Sequence, residues 1–200
     1  MEFASLDFET TGLDLATDSV VSWGVVPVTA GGVDLRGADY RLVAPERPIS
    51  EESVRIHELR PVDLGAAPAL REVSGVLGDA LSGRFLLAWA ATIEIAFLHR
   101  ILGGAERRWR RRTIDVRDLA FVRLRREGEP VSGRGLDLEA ACRRLGVPVE
   151  RTHHAFDDAL MTAELFLVLA GGWVSPRGRM PTVRDLMNDT RSRPRPSADE

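Results

Sequence analysis

The chain is 200 residues long, 44% hydrophobic and 28% charged, with a formal net charge of −3 and one cysteine. That length suits one α/β domain with a sizeable core. The lone Cys142 excludes an internal disulfide and a cysteine zinc cluster, and no apolar run reaches the ~20 residues of a membrane-spanning helix.

The acidic balance argues against a binder that relies on a basic surface and counterion release. Met1-Glu2 is too short and acidic for a signal peptide, so a soluble, cytoplasmic protein is expected. The 27 basic residues are all arginine, a composition-wide bias that lowers the weight of any single arginine cluster.

Residues 2–9 read as a first strand. Within it, Asp7 and Glu9 project from the same face, because side chains at i and i+2 do so in extended chain. Two adjacent carboxylates repel unless a cation lies between them, and hard oxygen ligands suit magnesium or manganese. The alternative is a half-buried strand running into the polar turn Thr10-Thr11-Gly12. Residues 20–28 give a second strand, 29–32 a hairpin turn and 33–43 a third strand. Residues 45–61 are a polar connection carrying Ile56 and His57, expected to pack under the edge of the site. A helix over 70–81, a strand over 85–90 and a helix over 95–102 follow.

In Arg107-Arg-Trp109-Arg-Arg-Arg112, arginine beside tryptophan could grip phosphate and stack on a base. The arginine bias favours a solvated face instead. Residues 113–115 form a short strand leading into a helix through Leu119, Val122 and Leu124. The helix 136–145, with Cys142 as a small core residue, is stopped by Gly146 and Pro148.

Thr152-His153-His154 then opens a long amphipathic helix. Phe156, Ala159, Leu160, Ala163 and Leu167 recur at helical spacing as far as about Ala170. Asp157 and Asp158 fall in its first turn, where acids favour the helix dipole. They either cap the helix, with the histidines on the surface, or one acid shares its space with a histidine able to act as a general base. From Ser175 onward Pro and Arg are frequent. A short helix is possible at 182–188, and 189–200 reads as disordered.

Taken together, Asp7-Phe-Glu9-Thr10-Thr11-Gly12 and His153-His-Ala155-Phe-Asp-Asp158-Ala159 resemble the first and third motifs of the DEDDh 3′–5′ exonucleases. That family includes the proofreading epsilon subunit of bacterial DNA polymerase III and oligoribonuclease. The register makes His153, not His154, the base and Asp158, not Asp157, the ligand. The middle motif departs from the family. In Leu87-Ala88-Trp89-Ala90-Ala91-Thr92-Ile93-Glu94-Ile95-Ala96-Phe97-Leu98, Trp89 and Ala90 replace the usual His-Asn. Glu94 replaces the usual Asp, and no residue in the sequence compensates visibly for the lost Asn.

The resemblance covers roughly residues 1–172. It implies an α/β, ribonuclease H-like fold with a mixed central sheet and flanking helices, as an exonuclease domain over 1–174 and a tail over 175–200. It also implies two divalent ions, Mg2+ or Mn2+, held by Asp7, Glu9, Glu94 and Asp158, with His153 as base. Thr10, Thr11, Gly12 and Leu13 would line the terminal nucleotide, and Phe97 would pack behind the motif or touch the last base. The expected substrate is a single-stranded 3′ end of DNA or RNA, shortened with release of nucleoside 5′-monophosphates, and the expected partner a DNA polymerase complex. Two further readings follow from the altered middle motif and from oligoribonuclease: a catalytically weakened nucleic-acid- or polymerase-binding module, and an RNA-trimming exoribonuclease.

Overall fold

The computed structural model describes residues 2–131, 135–173 and 181–191. The chain opens with β1 (Phe3–Thr10), β2 (Val20–Thr29), β3 (Gly32–Val33) and β4 (Asp39–Leu42). Then come α1 (Glu51–His57), α2 (Leu70–Leu81), β5 (Phe85–Ala88), α3 (Thr92–Leu102), α4 (Glu106–Arg112) and β6 (Thr113–Asp115). It closes with α5 (Val116–Arg126), α6 (Leu138–Leu145), α7 (Ala155–Gly171) and α8 (Val183–Arg191). Among the described residues no helix is long and apolar enough to cross a membrane.

The sheet runs β3-β2-β1-β5-β6, with β4 also paired to β2. β1 is antiparallel to β2 and parallel to β5, and β5 is parallel to β6. It is thus the expected mixed sheet with helices on both faces, as layered α/β packing requires. On one face Ala4, Leu6 and Phe8 of β1 pack with Leu77, Phe97 and Leu98 of α2 and α3. On the other, Val26 and Val28 of β2 meet Met161, Leu165 and Phe166 of α7 together with α5 and α6. Val183 and Leu186 of α8 join that second core.

Several expected elements differ. The third strand is broken into β3 and β4, because Asp34 accepts a hydrogen bond from Arg36 N (3.1 Å) and turns the chain between them. The polar connection holds α1, started by Ser50 accepting from Ser53 N (3.0 Å) with Glu51 and Glu52 in the first turn. The strand expected to reach residue 90 stops at Ala88, and α3 begins at Thr92 instead of 95. The arginine cluster forms α4, where Arg110 pairs with Glu106 and Trp109 donates to Gly103 O (3.0 Å). That tryptophan is half-buried against Ala88, Ala91 and Ile95. In the C-terminal segment α8 runs past the expected 182–188 to Arg191, so the start of the stretch 189–200 expected to be disordered is helical; 174–180 and 192–200 lie outside the described residues.

Candidate active site

Strand alternation sends Ala4, Leu6 and Phe8 into the α2–α3 core, so Asp7 and Glu9 face α7 from the C-terminal end of β1. Gly24 stands directly opposite Asp7 in the β1–β2 ladder. A Cβ at Gly24 would lie 2.3 Å from the Ala155 carbonyl oxygen and 2.4 Å from Phe156 Cα. The missing side chain therefore lets the first turn of α7 rest directly on the sheet. That close approach brings Asp158 to β1: one ligand oxygen from each of Asp7, Glu9 and Asp158 lies within 4.8 Å of the others.

His153 sits at the wall of the same cleft, exposed, with φ of 59°. Its backbone N donates to Asp158 Oδ2 at 3.1 Å, which holds this uncommon left-handed geometry at the mouth of α7. Its neighbour has different company. His154 Nδ1 is 3.1 Å from Asp157 Oδ2, and its ring stacks 4.7 Å from Tyr40. The two histidine–acid pairs are thus sorted: His153 goes with Asp158 in the cleft, and His154 with Asp157 against β4.

Glu94 enters from the first turn of α3 and is 4% exposed. It is not part of the 4.8 Å group, yet its charge reaches Asp7 and Glu9. The crowding shows in the proton affinities. Burial, then Glu9, Glu94 and Asp158, push the Asp7 carboxyl well above the usual carboxylate range. Burial, then Asp158, raises Glu9 to about 8. Burial, with Asp115 and Glu9 adding to it, raises Glu94 to about 8. Burial lifts Asp158 to about 6 against the opposing hydrogen bond from His153. Glu94 Oε2 and Asp158 Oδ1 are buried with no hydrogen-bond partner. An all-oxygen set with two orphaned buried oxygens and mutually repelling charges fits a hard divalent cation such as Mg2+ or Mn2+.

The carboxylates open into a cleft of about 560 Å³ lined also by Thr10, Gly12, Leu13, Ile56, His57, Trp89 and Ile93. Leu13 is 74% exposed on its lip. Two residues expected to line it do not. Thr11 is buried, its Oγ1 donating to Asp18 Oδ1 (2.7 Å) and accepting from Ser19 N (3.1 Å), so it shapes the turn from beneath. Phe97 is 2% exposed and packs edge-on against Phe8 at 6.1 Å, in the core behind the motif and out of reach of a base.

His57 lies under the site edge as expected, and it also holds the turn. Nδ1 accepts from Leu59 N (3.0 Å), so the proton is on Nε2, 3.3 Å from the Thr10 carbonyl oxygen. Burial holds its pKa below the ordinary value.

Sequence reasoning missed Gly24 and Asp115. A lone glycine in a β-rich run is itself a signal of close backbone approach. An aspartate ending a strand before a helix is a signal of a cap.

Comparison with known proteins agrees with this geometry. The Exonuclease (RNase_T) family model matches residues 5–166. The DNA polymerase III PolC-type protein of Thermotoga maritima is 30% identical over 169 residues, covering 82% of this chain but only 12% of that protein. The DNA polymerase III subunit epsilon of Treponema pallidum is 24% identical over 195 residues, covering 94% of this chain and 87% of that protein. Among solved structures, Exonuclease X in complex with 5′ overhanging duplex DNA superimposes with a TM-score of 0.67 at 21% identity, over 94% of this chain and 99% of that one. The nuclease domain of 3′hExo, a DEDDh family member bound to rAMP, gives 0.68 at 15% identity, over 86% and 92%. The fold is therefore the ribonuclease H-like fold of these nucleases, and the chain belongs to the Exonuclease (RNase_T) family.

Proposed function

We propose that this protein is a divalent-metal-dependent 3′–5′ exonuclease that releases nucleoside 5′-monophosphates one at a time from a 3′ end. The observation that carries the reading is the convergence of Asp7, Glu9 and Asp158 within 4.8 Å, with buried Glu94 behind them and His153 on the cleft wall. Asp7, Glu9 and Asp158, with Glu94, would hold two Mg2+ or Mn2+ ions. Such ions, when bound, stabilise the charge that develops on the attacking and leaving oxygens of a phosphodiester.

His153 is the one imidazole on the cleft wall with an exposed ring, and it takes the proton of the attacking water. Asp158 holds the His153 backbone in place while its second oxygen remains free for a ligand. Thr10 Oγ1 donates to Gly12 O (2.6 Å) and tightens the turn that presents Leu13. Leu13 and Ile56, apolar and exposed at the cleft, would take the faces of the terminal base.

The relatives include DNA polymerase III subunits, and the neighbours were solved with DNA or rAMP. These support a nucleic-acid strand as substrate and a polymerase complex as partner.

The test is digestion of 5′-labelled DNA and RNA oligonucleotides in Mn2+, resolved by length. A ladder shortening from the 3′ end, abolished by chelator and by Asp7→Asn, is expected. Internal cleavage or full activity in Asp7→Asn would overturn the assignment. Glu94 standing outside the three-carboxylate group favours one other reading, a catalytically weakened binding module. It predicts strand binding with no shortening of either DNA or RNA.

A further inference from the structure

Asp115 ends β6 and is the N-cap of α5. Its Oδ1 accepts from Arg117 N (3.1 Å) and Asp118 N (3.4 Å), which is ordinary helix capping. The same carboxylate also reaches sideways to the neighbouring strand's exit. There Oδ1 accepts from Ala90 N (3.2 Å) and Oδ2 from Ala91 N (3.1 Å).

Those two amides belong to a strained turn. Ala90 has φ of 56°, a left-handed conformation that an alanine adopts at a cost, and it has no polar side chain to hold itself there. Thr92 N donates to the Ala90 carbonyl and closes the turn, α3 starts at once, and Glu94 falls in its first helical turn. Ala91 is buried, so its N–H has no solvent to turn to. The direction in which α3 leaves β5, and with it the aim of Glu94, therefore depends on a carboxylate from another element.

We propose that Asp115 is a positioning residue of the site: it holds the Ala90–Ala91 turn in its left-handed form and thereby aims Glu94 at Asp7 and Glu9. It supplies from β6 what a side chain at position 90 does not. The catalytic consequence rests on the exonuclease reading above, whereas the positioning itself can be measured without turnover.

Asp115→Asn separates positioning from capping. The remaining carbonyl oxygen still accepts from Arg117, Asp118 and Ala90, while the new NH2 faces the Ala91 N–H, donor against donor. Amide exchange at Ala91 is expected to accelerate about tenfold, the equivalent of one lost hydrogen bond, while Ala90, still bonded to the remaining carbonyl oxygen, changes less. Mn2+ affinity of the metal-free protein, measured by calorimetry, is expected to weaken about 10–100-fold, as for other groups that orient ligands. Turnover should fall with little change in KM.

Ala90→Gly removes the left-handed strain, so the effect of Asp115→Asn should shrink in that background. If Asp115→Asn does not fold alone, the double variant against Ala90→Gly reads the loss of Ala91 protection and Mn2+ affinity in that background, smaller but in the same direction. A lower Tm with unchanged Mn2+ affinity and unchanged Ala91 exchange would overturn the proposal and leave Asp115 a helix cap. If the wild type shortens no oligonucleotide, yet Asp115→Asn still loses Mn2+ affinity and Ala91 protection, the exonuclease reading fails and the positioning stands.

Discussion

Gly24→Ala perturbs the site without touching a titratable group. The added Cβ would lie 2.3 Å from the Ala155 carbonyl oxygen, where ordinary contact begins at 3.4 Å, so sheet and helix must separate by about 1 Å. Both atoms in conflict are backbone, so no side-chain rotamer relieves the clash. Overpacking of this kind costs about 1–3 kcal/mol, a drop in Tm on the order of 5 °C for a domain of this size. Asp158 lies in the same first turn of α7 and moves with it, away from Asp7 and Glu9. A misplacement of ~1 Å in a reacting constellation is worth ~10²-fold in rate. The assay pairs thermal unfolding with turnover on a 3′-ended oligonucleotide and Mn2+ calorimetry on the metal-free protein. A Gly24→Ala protein with unchanged turnover and unchanged Mn2+ affinity would refute the claim that the bare backbone at Gly24 sets the distance between Asp158 and β1.

The other predictions concern the carboxylates and histidines. Glu9 titrates near 8 in the metal-free fold against an ordinary 4.5, so the folded state keeps a proton the unfolded chain releases. Stability should then fall as pH rises from about 4.5 to about 8, and level off above. A Tm that does not fall across that window in chelator would contradict this; saturating Mn2+ should remove the decline. Asp7→Asn should raise the metal-free Tm, because it replaces a buried acid that faces Glu9, Glu94 and Asp158 with a neutral amide, while abolishing metal-dependent hydrolysis. Glu94→Ala should lower turnover by orders of magnitude and Glu94→Asp should keep part of it, with Mn2+ supporting more activity than Mg2+ because Mg2+ demands a stricter octahedron. Unchanged turnover in Glu94→Ala would favour a site built on Asp7, Glu9 and Asp158 alone. His153→Ala should cost ~10²–10⁴-fold and flatten the acidic limb of the pH–rate profile. His154→Ala, which loses only its contacts with Asp157 and Tyr40, should leave turnover almost unchanged. The reverse pattern would mean that Asp157, not Asp158, faces the site.

What could be read from the sequence was local. The two-residue period of a strand puts Asp7 and Glu9 on one face whatever the rest of the chain does. The five-residue step from His153 to Asp158 puts both at one helix start. Mixed α/β order followed from the same short-range patterns, whereas the third-motif register came from the resemblance to the DEDDh exonucleases. The capped helix α1 was carried by Ser50, Glu51 and Glu52, local signals outweighed by the polarity of the segment around them.

The tertiary structure decided which side chains the cleft keeps. Thr11 and Phe97 share their segments with cleft residues, but a turn latched by Asp18 and an aromatic contact with Phe8 draw them inward. It also decided what holds the site together. Gly24 matters because α7, which begins more than a hundred residues later, comes to lie on it. Asp115 matters because β6 pairs beside β5, so that a helix cap reaches Ala90 and Ala91. Period and spacing are fixed by the geometry of a single element. Close approach between distant elements is fixed only when the sheet is paired and its two cores are packed.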